Sequence, residues 1–173
     1  MMAIKLSSDI DYFEDCQLLG LVSQVKDYRL AFFVNNQMGF NFKKYDNLDF
    51  YDSSGNKKSA SWYYYFDEQL SAKIYLIANS TDGGKLIPSK KEIDFFVLFK
   101  EFQSAEYADF ALSKLRTVSN VLAVFKLDLN SIKEADILLE QVELHEIEQV
   151  LKPQRKGIKK PGITNTASTN FRE

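Results

Sequence analysis

The amino-acid sequence predicts a single α+β domain, in which one mostly antiparallel sheet of five or six strands carries two helices on one face and is followed by a C-terminal helix. Three observations predict this class. Strand-like segments follow one another at hairpin-length connections in the middle of the chain, segments with helical spacing flank them, and 45% of the 173 residues are apolar. This composition suffices for the core of one domain. The predicted domain spans 1–152, including a helix over 131–152, and 153–173 are predicted to be disordered.

The stretch 87–99 is the most informative part of the chain. Pro88 fixes its own φ and donates no hydrogen bond, so it predicts a loop before the strand that begins at Ile93. Apolar residues then occupy both faces of this strand, with Ile93, Phe95, Val97 and Phe99 on one face and Phe96 and Leu98 on the other. Such a strand is typical of the interior of a sheet. Asp94 is the polar exception, and we expect it to accept backbone N–H groups or to pair with a lysine.

Alternation and helical spacing predict the other elements. Strands are expected over 12–23, 48–51, 59–66, 72–79 and 121–129, and helices over 24–38 and 104–118. Ser23 is the predicted N-cap of the first helix and Gly39 its C-cap, while Gln103 or Ser104 is expected to cap the second. The sequence Ser131-Ile132-Lys133-Glu134 fits a capping box and predicts the start of the C-terminal helix.

An aromatic run in the strand 59–66 supplies candidate binding residues. Trp62, Tyr64 and Phe66 share one face, and Tyr63 and Tyr65 share the other. The second face either packs against a neighbouring strand or is a partly exposed stacking surface for a nucleic acid or a small ligand.

No catalytic residue, metal site or cofactor is predicted. Cys16 reads as a small buried hydrophobe, and one cysteine cannot build a cysteine-based metal site. The single histidine, His145, is expected on a solvent-facing acidic side of the C-terminal helix, and carboxylate catalysis stays open. No run of about 18 apolar residues occurs and the N-terminus lacks a long apolar stretch, which predicts a cytoplasmic protein without membrane contact.

Charge is distributed unevenly along the chain. Residues 152–173 hold six basic residues and one acidic residue, a net charge of +5. Because the whole chain has a net charge of −2, residues 1–151 carry a net charge of −7. This tail either solubilises the protein, lies near its own acidic domain, or attracts RNA or an anionic protein. The cations that would contact RNA are Lys152, Arg155, Lys156, Lys159 and Lys160.

Three short segments carry a family resemblance. They are Ile87-Pro88 followed by Ile93-Asp94-Phe95, then Lys26-Asp27-Tyr28-Arg29-Leu30, and Met38-Gly39-Phe40-Asn41-Phe42. Together they resemble the IPExxxVDY family of small uncharacterised Bacteroidetes proteins, over about residues 9–138. Ser89 stands where the family name has Glu, and Ile93 and Phe95 stand for Val and Tyr. The family has no assigned activity, so the resemblance implies a lineage and a related fold.

The sequence therefore predicts a binding or accessory interaction module, most simply one with a protein partner. Two alternatives stay open: a nucleic-acid-associated protein that uses the tail and exposed tyrosines, and a small-ligand protein or enzyme with a pocket joining Asp94, Tyr28 and Arg29. The candidate binding residues are Asp27, Tyr28, Arg29, Pro88, Asp94, Tyr63 and Tyr65.

Overall fold

The computed structural model describes residues 13–102 and 104–152, so predictions made for 1–12, Gln103 and the tail 153–173 lie outside the described residues. The strands are β1 (Gln17–Val22), β2 (Lys43–Lys44), β3 (Leu48–Tyr51), β4 (Lys57–Ala60), β5 (Trp62–Asp67), β6 (Ala72–Ala78), β7 (Ser80–Thr81), β8 (Gly84–Lys85), β9 (Phe95–Lys100) and β10 (Ala123–Leu127). The α-helices are α1 (Asp27–Met38), α2 (Ala105–Leu115) and α3 (Ala135–Glu146), and a π-helical turn, Ile147–Leu151, follows α3.

Six strands form the main sheet in the order β10-β1-β9-β6-β5-β2, and every neighbouring pair is antiparallel. The predicted fold class is confirmed. The apolar strand β9 lies between β1 and β6, with Val97 opposite Leu19 on one side and Leu76 on the other. Its central place follows from its two apolar faces, since an interior strand must be covered on both.

Helices α1 and α2 pack on one face of the sheet, as predicted. Gly39 ends α1 in the left-handed conformation, with φ 70°, and its N–H donates to the carbonyl oxygen of Asn35. Ser104 caps α2 by accepting the N–H of Tyr107. The predicted start of α1 is wrong, because Ser23 is buried and its hydroxyl donates to the carbonyl of Asn120 at 2.8 Å. The helix therefore begins later, at Asp27.

The other face of the sheet is covered by α3, the β3–β4 hairpin and apolar side chains of the segment 86–93. The predicted capping box is wrong. Ser131 belongs to a 3₁₀ turn, where its hydroxyl donates to the carbonyl of Asp128 at 2.7 Å, and α3 begins at Ala135. Ile132, the residue after this turn, is buried and has an extended backbone, so the chain is not helical at this position.

Two strand predictions need correction. The predicted strand 59–66 is two strands, because β4 pairs with β3 in a separate hairpin and β5 joins the main sheet. Alternation along the last strand also predicts that Val121, Ala123, Phe125 and Leu127 face inward. This prediction is wrong, because Val124 is buried and Phe125 is 47% exposed. Strand β10 lies at the edge of the sheet, where the helices and loops that cover the sheet can leave an apolar side chain exposed. Among the described residues, no helix has the length and apolar character needed to cross a membrane.

Candidate binding site

Three of the sequence-predicted residues meet at one end of the sheet. A cleft of about 440 Å³, here called the α1 cleft, lies where α1 begins, and Asp27 and Asp94 line it together with Ser61 and Ser80. Tyr63 contacts this group through Asp27. Tertiary folding thus brings together two carboxylates that are 67 positions apart in the sequence.

Asp27 is an ion-pair and hydrogen-bond anchor. Its Oδ2 accepts hydrogen bonds from Lys44 Nζ at 2.7 Å and from the Tyr63 hydroxyl at 2.8 Å. Burial opposes the charged form, but the hydrogen bonds from Lys44, Tyr63 and Ser61 outweigh it and lower the pKa of Asp27 from 3.8 to about 2. The side chain is therefore ionised at neutral pH and is a poor proton acceptor.

Of the two alternatives for the face shared by Tyr63 and Tyr65, Tyr63 fits packing and not an exposed stacking surface, because it is 4% exposed. Its ring belongs to the core beneath α1. Burial raises the pKa of its hydroxyl above the ordinary value, and the bond to Asp27 raises it further. Tyr63 therefore stabilises the fold at this end of the sheet and offers no free face to a base.

Asp94 has the structural role expected from the sequence. Its Oδ2 accepts the N–H of Ser23 at 2.9 Å, and its Oδ1 lies 3.4 Å from Lys85 Nζ. The carboxylate thus joins the end of β1 to the entrance of β9 and to the β7–β8 hairpin. Both of its oxygens are engaged.

Tyr28, Arg29 and Pro88 lie outside the α1 cleft. Tyr28 is 61% exposed on the outer side of α1, and the Arg29 guanidinium lies 5.8 Å from the ring centre of Phe33. Pro88 is exposed and begins a 3₁₀ turn. The structure places Asp94 in the α1 cleft without Tyr28 or Arg29, so the three do not form the expected pocket.

Tyr65 belongs to a second cleft, of about 540 Å³, between the end of α1, the β5–β6 turn and the start of α2. Aromatic and acidic side chains share its walls. We call it the aromatic–acidic cleft, and the residues that define it are Tyr65, Phe66, Asp67, Glu68, Tyr107 and Phe110. No lysine, arginine or histidine is found among the described residues of its lining.

The two tyrosine hydroxyls of this cleft lie in a negative environment. Burial, with smaller contributions from Asp67 and Tyr65, raises the pKa of Tyr107 to about 12. Burial also raises the pKa of Tyr65, with smaller contributions from Asp67 and Glu68. Both hydroxyls therefore stay protonated at neutral pH and add no negative charge to the cleft.

The β5–β6 turn holds the carboxylate of Asp67 in place. Its Oδ1 accepts the N–H groups of Gln69 and Leu70, at 2.9 and 3.0 Å. This local hydrogen bonding is typical of an aspartate at a turn. Glu68, the next residue, is exposed. One carboxylate is thus fixed by the backbone and the other is available to a ligand.

Sequence reasoning missed a buried polar group beneath α3. Glu146 is 2% exposed; it accepts the Tyr75 hydroxyl at 2.6 Å and pairs with Lys73 at 3.2 Å. The prediction for His145 is also wrong, since the ring is 9% exposed, meets Trp62 edge-on and has Nε2 2.8 Å from the Asp46 carbonyl oxygen. These contacts anchor α3 to the sheet.

Comparison with known proteins adds no relative. No protein-family model matches the chain, and neither does any curated protein or solved structure. Within residues 13–102 and 104–152, no group of three or more His, Cys, Asp or Glu side chains could hold a metal ion. The chemistry of the two clefts is therefore what bears on function.

Proposed function

We propose that the chain is a binding module, and that its ligand presents an alkylammonium group to the aromatic–acidic cleft. The observation that supports this proposal is the presence of Tyr65, Tyr107, Asp67 and Glu68 around one open cleft. An aromatic face attracts a cation by about 0.5–2 kcal/mol, and a nearby carboxylate adds Coulombic attraction. A neutral ligand of the same shape gains neither contribution.

The α1 cleft supports binding less well. Asp27 is engaged by Lys44 and Tyr63, and Asp94 by Ser23 and Lys85. These carboxylates already have cationic and N–H partners, so a ligand would have to displace them. Such engagement is typical of groups that join loops and helix ends.

Enzymatic chemistry has less support than binding. Burial, together with the neighbouring Asp15, raises the pKa of the Cys16 thiol to about 12, so the reactive thiolate is scarce at neutral pH. The depressed pKa of Asp27 makes it a poor general base.

The nucleic-acid hypothesis also has less support. Tyr63 is buried, and Tyr65 lies beside carboxylates that repel phosphate. The cytoplasmic location and the family resemblance stay predictions.

A titration with tetramethylammonium, followed by the ring resonances of Tyr65 and Tyr107, tests the proposal. Neopentyl alcohol has a similar size and no charge, so it is the matched control ligand. We expect saturable shifts with the ammonium ion alone, because cation–π and Coulombic attraction require its charge. Equal binding of the two compounds would contradict the proposal.

A pair of variants tests whether tetramethylammonium binds at the aromatic–acidic cleft. Glu68→Gln removes an exposed carboxylate of the cleft, and Glu106→Gln removes an exposed carboxylate of α2 that does not line it. We expect Glu68→Gln to weaken tetramethylammonium binding roughly two- to fivefold, as an exposed charge pair predicts. Glu106→Gln should bind like the unmodified protein.

A further inference from the structure

We infer that the chain's own basic segment, residues 155–160, occupies the aromatic–acidic cleft and competes there with external cations. This inference rests on the proposed function, because it names the ligand of the same site. The cleft would then be covered by the protein's own tail until a stronger cationic ligand displaces it.

Charge complementarity is the first argument. The segment contains Arg155, Lys156, Lys159 and Lys160 and no acidic residue. Residues 152–173 carry +5, whereas 1–151 carry −7. A lysine side chain combines an alkyl stem with an ammonium group, which matches a cleft of aromatic rings and carboxylates.

The end of α3 supplies the second argument, because it lies at the same end of the sheet as the cleft, although α3 covers the opposite face. Glu146, at the end of α3, pairs with Lys73 of β6 at 3.2 Å. Lys73 lies opposite Phe66 of β5 in the strand register, and Phe66 lines the cleft. Lys152 follows Glu146 by only six positions.

Chain length is the third argument. Lys156 and Lys159 follow Lys152 by four and seven positions, and extended segments of these lengths reach ~13–25 Å. A short tether also raises the local concentration of the segment to the millimolar range. A contact between one lysine and the cleft is therefore substantially populated within the chain when its dissociation constant lies in or below that millimolar range.

A zero-length carbodiimide crosslink tests the contact in the full-length protein. We expect an amide between Glu68 and Lys156, Lys159 or Lys160, identified by mass spectrometry. Mixing isotopically labelled and unlabelled protein shows whether the two ends belong to one chain. Glu68→Gln should remove this product and Glu106→Gln should keep it. Absence of a crosslink between the cleft and the tail, or formation between chains only, would contradict the inference.

Competition is measured with tetramethylammonium in two full-length variants that each lose four positive charges. The tail variant replaces Arg155, Lys156, Lys159 and Lys160 with Gln, and the control variant replaces the exposed Lys26, Lys43, Lys91 and Lys133 with Gln. We expect the tail variant to bind the probe roughly two- to fivefold more tightly than the unmodified protein, because the competing segment is gone. The control should bind it no more tightly, since it keeps the competing segment.

The outcomes separate the inference from the proposed function. Tighter binding by the tail variant alone supports both. Equal binding by all three proteins overturns the inference and leaves the proposed function standing. If none of them binds tetramethylammonium, the proposed function is overturned, and the inference falls with it.

Discussion

The side-chain amide of Gln141 closes the outer edge of strand β3 at Tyr51. Its Nε2 donates to the carbonyl oxygen of Tyr51 and its Oε1 accepts the N–H of Tyr51, both at 2.9 Å. His145 of α3 contacts the carbonyl oxygen of Asp46, and Gln149 of the π-helical turn that follows accepts the N–H of the same residue at 3.4 Å. Positions four apart lie on one side of a helix, so α3 satisfies backbone groups that a neighbouring strand would otherwise pair.

Replacement of Gln141 by Met keeps the length of the side chain and removes both hydrogen bonds. We expect the free energy of unfolding to fall by about 1 kcal/mol, because the freed backbone groups of Tyr51 are exposed enough to bind water. Urea unfolding followed by circular dichroism measures the change. Glu140→Met, at the neighbouring exposed position of α3, is the control. An equal loss in both variants would show that the Gln141 contact adds nothing.

Glu146 is the buried anchor of α3, and its removal should be costly. Glu146→Ala leaves the buried Tyr75 hydroxyl without its acceptor and leaves Lys73 paired with Glu101 alone, so we expect a loss of about 1–3 kcal/mol. Glu148→Ala, in the exposed part of the following turn, should change stability by less than about 0.5 kcal/mol. Chemical denaturation of the two variants checks the difference. Similar stabilities would contradict the anchoring role.

Asp27 should make the stability of the protein depend on pH in the acid range. Its pKa is lowered from 3.8 to about 2 in the folded protein, so its contribution is present above about pH 4 and is lost as the pH falls towards 2. We therefore expect the difference in stability between the unmodified protein and Asp27→Asn to shrink over that interval. Urea unfolding at several pH values measures it. A constant difference would show that Asp27 is not perturbed.

Cys16 should resist alkylation in the folded protein. Its side chain is buried and its pKa is raised to about 12. At pH 8 the reagent therefore reaches the sulfur poorly, and only a small fraction of the thiol is ionised. Iodoacetamide labelling followed by mass spectrometry should be slow in buffer and rapid in denaturant. Rapid labelling without denaturant would mean that the thiol is accessible and activated.

Sequence reasoning worked where one local signal dominates. The two apolar faces around Val97 predicted a central strand, and β9 is central. Gly39 and Ser104 were predicted as caps and act as caps, because a left-handed C-cap and a hydroxyl N-cap are local requirements. The predicted strand 48–51 also matches β3.

Two of the errors have a shared cause. Ser23 and His145 were assigned from their immediate neighbours, yet their partners are Asn120 and Asp46, each about a hundred positions away. Local polarity places such side chains in solvent or at a cap, whereas the folded chain offers them a carbonyl oxygen.

By itself, the sequence determined the class of fold, the central strand and the helices that cover one face, because periodicity and caps act within a few residues. Only the tertiary structure decided which candidate residues meet. It separated Tyr65 from Tyr63 and set Tyr65 beside Tyr107, and it placed Asp27 near Asp94. A site is assembled by contacts between distant segments, and the energy of those contacts depends on burial and distance, which no local pattern contains.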